Sequence, residues 1–210
     1  MNNFLSQEID YVEAVDWTET LCNCVIKPST VEKSTTNVGC ALDSPKKKSL
    51  SYIPIANCKG RNEQGGWPFG HACDKTWNNR ENGWAFDGKR GSRLEINFDG
   101  EYFLTKMEIQ TGYDYVDHCA KEFTLWFEAK DRGWRRPKNA VVTAKNGNQQ
   151  VATYDGRTFR MIGNYEVMLV VTFDMIEAKK IHFYVSDSYN GNNAIINEVA
   201  LYGPGKKSCS

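Results

Sequence analysis

The sequence predicts an all-β chain, an antiparallel β-sandwich behind a short N-terminal extension. Three observations carry that expectation. From about residue 50 apolar and polar residues alternate with period two in run after run. Short Gly, Asn and Asp turns separate the runs, and helical periodicity is confined to one stretch near the N-terminus. Successive side chains of a strand point to opposite faces, so each alternating run has one face to bury.

The elements follow in chain order. Residues 1–39 are polar and weakly periodic, and form the predicted extension. Within them Ile9, Val12, Val15 and Leu21 share a face, which predicts one helix over Glu8–Leu21, and residues 27–38 (KPSTVEKSTTNV) read as linker. The predicted sandwich occupies residues 40–210. Leu94, Ile96 and Phe98 alternate with Glu95 and Asn97. Phe103, Met107 and Ile109 oppose Lys106, Glu108 and Gln110. Phe123, Leu125 and Phe127 share a face. Residues 165–173 (YEVMLVVTF) are apolar on both faces, as a central strand is. Ile181, Phe183 and Val185 alternate with Lys180, His182 and Tyr184, and 194–202 (AIINEVALY) is the last strand. Turns are expected at DG 99–100, TGYD 111–114, NG 146–147, DG 155–156 and YNGNN 189–193.

Composition bounds the function. The chain has 210 residues, 40% hydrophobic and 25% charged, enough for one sizeable core. Its formal net charge is zero, so no global field draws it to nucleic acid or to an acidic membrane. No run approaches the roughly 18 apolar residues that cross a bilayer. The start, MNNFLSQEIDYVEAVDW, lacks the basic and apolar regions of a signal peptide. That leaves a cytoplasmic protein, or a mature part of a secreted one. Seven cysteines (22, 24, 40, 58, 73, 119 and 209) favour an oxidising, extracellular or cell-surface setting. None has CxxC spacing, which argues against a zinc ribbon, and Cys58 and Cys73 are one conceivable pair.

Three segments carry a family resemblance. GSRLEINFDGEYFLTKMEIQTG (91–112), KEFTLWFEAKDRGW (121–134) and VTFDMIEAKKIHFYVSDSYNGNNAIINEVALYG (171–203) resemble, in order and spacing, the core of the discoidin, or coagulation-factor C-type, family. The similarity covers about residues 40–209. It implies the galactose-binding-like jelly roll, and a non-catalytic domain that recognises its ligand through loops at one end. By analogy with secreted members it implies a disulfide between the ends, Cys40–Cys209, which would stabilise the fold by roughly 4–5 kcal/mol on the chain-entropy model. The coagulation-factor branch has an arginine where this chain has Glu198. A glutamate there resembles the carbohydrate-binding branch, in which it ligates a structural calcium. HACDKTW (71–77) resembles that branch's partner loop but lacks its glycine, and WAFDG (84–88) matches the short motif while lying close to the next strand. The resemblance therefore implies Ca2+ on Asp74, Thr76 and Glu198, with Asp87 as the substitute. The alternative is that the carboxylates cap turns or meet basic neighbours.

The same resemblance brings residues 60–71, 112–118 and 186–193 to the ligand end. Trp67, Phe69, Tyr113, Tyr115 and Tyr189 offer ring faces, on which the apolar face of a sugar can stack. Arg61, Asp114, His118 and Asn190 offer polar partners for hydroxyls. The alternative for each aromatic is packing under its loop. Trp77, Trp84, Trp126 and Trp134 are expected to be structural. The basic run RGWRRPK (132–138) reads as a solvated turn, or as a phosphate or sulfated-glycan contact. Three histidines and no GxSxG, HExxH or phosphate loop argue against an enzyme. The expected partner is a glycan or glycoprotein, in a lectin-like or adhesion role. The alternatives are an intracellular protein partner or anionic lipid.

Overall fold

The computed structural model describes residues 50–61, 66–80, 83–87, 92–147, 149–191 and 193–207. The expected Glu8–Leu21 helix, the linker, the boundary at residue 40 and both cysteines of the Cys40–Cys209 pair lie outside these residues. The described strands are β1 (Ser51–Tyr52), β2 (Asn57–Arg61), β3 (Trp84–Asp87), β4 (Arg93–Thr111), β5 (Ala120–Ala129) and β6 (Gly133–Arg135). They continue with β7 (Val141–Ala144), β8 (Gln150–Tyr154), β9 (Phe159–Met161), β10 (Met168–Ser188), β11 (Asn193–Gly203) and β12 (Gly205–Lys206). Short 3-10 turns at Phe69–Cys73 and Val116–His118 are the helical pieces among the described residues, and no helix there is long and apolar enough to cross a membrane. The all-β expectation holds, and the architecture is an antiparallel β-sandwich.

Two long strands make the sandwich. β4 and β10 pair antiparallel from end to end, and their outer neighbours change midway. The first part of β10, Leu169–Thr172, pairs with β7, whereas its second part, from Lys180 onward, pairs with β5. The first part of β4 pairs with β2 and its second part with β11. Both strands therefore pass from one layer to the other, while β8 and β9 bridge β7 back to β5. The passage occurs where register breaks, between Thr172 and Ile176 and between Ala178 and Lys180. A bulge adds residues to one strand of a pair and bends it, which lets one strand serve two sheets.

These breaks correct three expectations. The Asp99-Gly100 pair does not end a strand; it lies in the bulge of β4, which continues to Thr111. Likewise the strands expected at 165–173 and 180–186 are parts of one strand, β10, which begins at Met168. Phe103 does not share a buried face with Met107 and Ile109. It is half-buried, while Leu104 is fully buried. The partner strand carries extra residues opposite Leu104–Lys106, so the inward parity changes there.

The core forms between the layers. Leu94, Ile96, Phe123, Leu125, Phe127, Ile181 and Phe183 come from one, and Met107, Ile109, Leu169, Val171, Val199 and Leu201 from the other. Phe123 stacks on Phe159 at 4.8 Å and meets Phe183 edge-on at 5.5 Å. Tyr202-Gly203 runs so close to β4 that a Cβ on Gly203 would collide with the Phe103 carbonyl, which requires glycine there.

Candidate functional site

The site is built from loops that the strands deliver to one end. The first leaves β2 and returns through the 3-10 turn Phe69–Cys73. A Cys58–Cys73 disulfide ties that turn to β2. Closing a loop of this length stabilises by about 3 kcal/mol on the chain-entropy model. The conceivable Cys58–Cys73 pair is thus present.

The second loop follows β4. Gly112 has φ +62° and packs against Cys119, where a Cβ would lie 2.6 Å from its Sγ. Asp114 also adopts a left-handed conformation, at φ 60°. Tyr115 and His118 N–H groups close successive turns onto Gly112 and Tyr115 carbonyls. The Tyr113 N–H donates to Asn197 Oδ1 at 2.9 Å, which pins the loop to β11. The third loop docks on the second: the Asn190 N–H donates to the Asp117 carbonyl at 2.7 Å. Asn190 Oδ1 also accepts from the Ser188 hydroxyl and the Asn193 N–H.

Between these loops opens a pocket of about 210 Å3, lined among the described residues by Trp67, Ala85, Tyr115, His118, Asn193 and Ile195. Its wall is aromatic. Trp67 meets Tyr115 edge-on at 6.0 Å, and Tyr115 meets His118 at 5.8 Å. Ala85 and Ile195, paired across β3 and β11, supply the apolar floor. Polar groups ring it. Asp117 Oδ1 lies 2.9 Å from His118 Nδ1, and Arg80 Nε donates to the Tyr115 hydroxyl at 2.9 Å while its guanidinium covers that ring.

Of the residues expected to bind, Trp67, Tyr115 and His118 line this pocket, and Asn190 buttresses its third loop. Tyr113 and Asp114 lie in the second loop but do not line the pocket. Tyr189 faces away, its hydroxyl donating to the Gly163 carbonyl at 3.1 Å. Two residues do not join the cluster. Phe69 packs inward against the core, where Gly60 leaves room for it. Arg61 sits exposed at the end of β2 opposite Arg93. Sequence reasoning missed Arg80, Ala85, Asn193 and Ile195. Nothing local distinguishes an alanine or isoleucine that floors a pocket from one that fills a core. The free thiol nearby, Cys119, is buried, donates to the Thr111 carbonyl and is pushed up to about 12 by burial and then by Glu166 and Asp117.

A second cluster lies beside the pocket. Glu198 on β11 is 1% exposed and lies against Asp74. The Thr76 N–H donates to both carboxylates, at 2.8 Å to Asp74 Oδ1 and 3.0 Å to Glu198 Oε2. Burial, then the neighbouring Asp74, pushes the Glu198 carboxyl up to about 7. Two carboxylates in contact need a proton or a cation between them. The turn between them is tight, with Lys75 at φ 70° and Asn78 at φ 59°. No group of three His, Cys, Asp or Glu side chains suited to a metal occurs among the described residues. Asp87 pairs through its backbone with Asn193, and its side chain lies outside the described residues.

The fold is shared with family 32 carbohydrate-binding modules. One, from Clostridium perfringens NanJ and solved in complex with galactose, superposes with a TM-score of 0.52 at 18% identity, covering 73% of this chain and 99% of the other. A third module of a Clostridium perfringens family 31 glycoside hydrolase gives 0.51 at 15% identity, covering 72% and 94%. A chain of the Streptococcus pneumoniae beta-galactosidase BgaA gives 0.52 at 12% identity, covering 73% and 98%. No protein-family model matches the sequence, and no curated protein matches it significantly.

Proposed function

We propose that this domain is a non-catalytic carbohydrate-recognition module of lectin-like or adhesive character, acting outside the cell or at its surface. The observation that carries the reading is the pocket whose wall is Trp67, Tyr115 and His118. A pyranose presents an apolar C–H face to an aromatic plane and hydroxyls to planar polar groups at its edge. Trp67 and Tyr115 supply the plane; His118, Asp117, Arg80 and Asn193 supply the edge. The NanJ module's galactose makes that sugar the first to test. Asp74 and Glu198, with Thr76 and loop carbonyls, would hold a calcium ion that supplies the counter-charge to two carboxylates and fixes the first loop against β11. The Cys58–Cys73 bond supports the oxidising compartment.

The same rim carries the carboxylates Asp114, Asp117 and Glu166, which oppose docking on anionic lipid. Titration calorimetry with galactose and a glycan array, each with and without calcium, test the reading. Trp67→Ala and Tyr115→Ala are expected each to weaken binding by about tenfold or more. An array without a hit in either condition overturns it.

A further inference from the structure

Beyond the pocket the same end of the sandwich carries a second aromatic platform. Tyr165, in the segment between β9 and β10, is 46% exposed, and Ile162 beside it is 54% exposed. Tyr165 meets Tyr189 edge-on, at 5.8 Å and 84°. Beside that contact nearly half of the Tyr165 surface stays open to solvent. The platform is fixed, because the Tyr189 hydroxyl donates to the Gly163 carbonyl and the Tyr189 N–H donates to the Cys119 carbonyl.

The platform is also continuous with the pocket. The Thr111 N–H donates to the Val167 carbonyl at 2.9 Å, which binds the segment after Tyr165 to the root of the second loop. Asn190, next to Tyr189, donates to the Asp117 carbonyl beside His118. Trp67, Tyr115 and His118 thus form one aromatic group and Tyr189 and Tyr165 a second, joined through the Asn190–Asp117 backbone contact, with Val116, 37% exposed, in the second loop. Three of the eight large apolar side chains exposed among the described residues gather here.

We infer that the site takes an oligosaccharide, with one sugar ring in the Trp67–Tyr115–His118 pocket and a further ring on Tyr165. The inference rests on the carbohydrate reading and specifies its ligand class. The second group lies outside the pocket that one pyranose fills. The polar side chains Asn164 and Glu166 flank Tyr165 as hydroxyl partners for the outer ring. The neighbouring carboxylates Asp117 and Glu166 favour neutral sugars over acidic ones at that ring.

The test is an immobilised glycan library, in which each terminal sugar is presented as chains of one to four units, probed with the full chain and with Tyr165→Ala. Tyr165 lies on the surface, and a matching thermal melt verifies that the variant folds. For the sugar that binds, affinity is expected to rise on the order of tenfold between one unit and two or three, and Tyr165→Ala is expected to abolish that rise while leaving the single unit unchanged. Binding of a single sugar with no gain on lengthening, or a gain that survives Tyr165→Ala, overturns the extended site and leaves the pocket reading intact. A library with no hit at all overturns both.

Discussion

His182 shows how one side chain outside the pocket lining can carry a pH response. Its ring stacks on Trp134 at 3.9 Å, and its Nε2 lies 2.9 Å from Glu95 Oε2. Desolvation by burial outweighs the Glu95 carboxylate and depresses its pKa below the usual 6.5. The folded protein therefore binds fewer protons at this residue than the unfolded chain does. Its contribution to stability is complete above the unfolded pKa and disappears as pH falls through the depressed folded value. The melting temperature is expected to drop as pH goes from 7 to 5, with a quench of Trp134 fluorescence as the imidazole charges. His182→Gln should flatten that part of the pH profile. Unchanged melting and fluorescence across the range would refute the account.

Glu198 is the second residue whose chemistry exceeds its packing. Added calcium should raise the melting temperature of the native domain. Glu198→Gln, which keeps the shape and removes the charge, should abolish the rise. Equal shifts in both proteins would place the ion elsewhere.

At the scale of elements, the Cys58–Cys73 bond holds the loop that presents Trp67. Replacing both cysteines by serine should cost about 3 kcal/mol on the chain-entropy model, read from denaturant unfolding. The pocket should suffer as well, because the Phe69–Cys73 turn is anchored there and Trp67 lies just before it. A variant equally stable, with unchanged glycan affinity, would show that the loop keeps its shape unaided. The first loop's aromatics were legible from their glycine-rich setting, yet which of them faces outward was not. Trp67 turns to the pocket and Phe69 to the core because Gly60 leaves space beneath Phe69, a fact of packing between segments nine residues apart. The long strands teach the same lesson: Asp99-Gly100 has the composition of a turn but works as a bulge, because β2, β10 and β12 are there to pair with β4 on both sides of it.

For the whole molecule, stability resides in the aromatic and aliphatic layer between the sheets. Phe183, fully buried and in contact with Phe123, should cost roughly 3–5 kcal/mol when cut to alanine. The loop-end variants Trp67→Ala and Tyr165→Ala should leave global stability nearly unchanged, which separates scaffold from site in one series of melts.

Alternation, turn chemistry and residue content determined without coordinates that this chain is an antiparallel sandwich with aromatic loops, since those signals are local and repeat with the two-residue period of a strand. Tertiary structure alone decided where β4 and β10 cross between layers, that Tyr115 and not Tyr113 walls the pocket with Trp67, and that Ala85, Asn193 and Ile195 join them. Bulges shift parity without a sequence marker, and a concave surface arises only when segments distant along the chain are brought side by side.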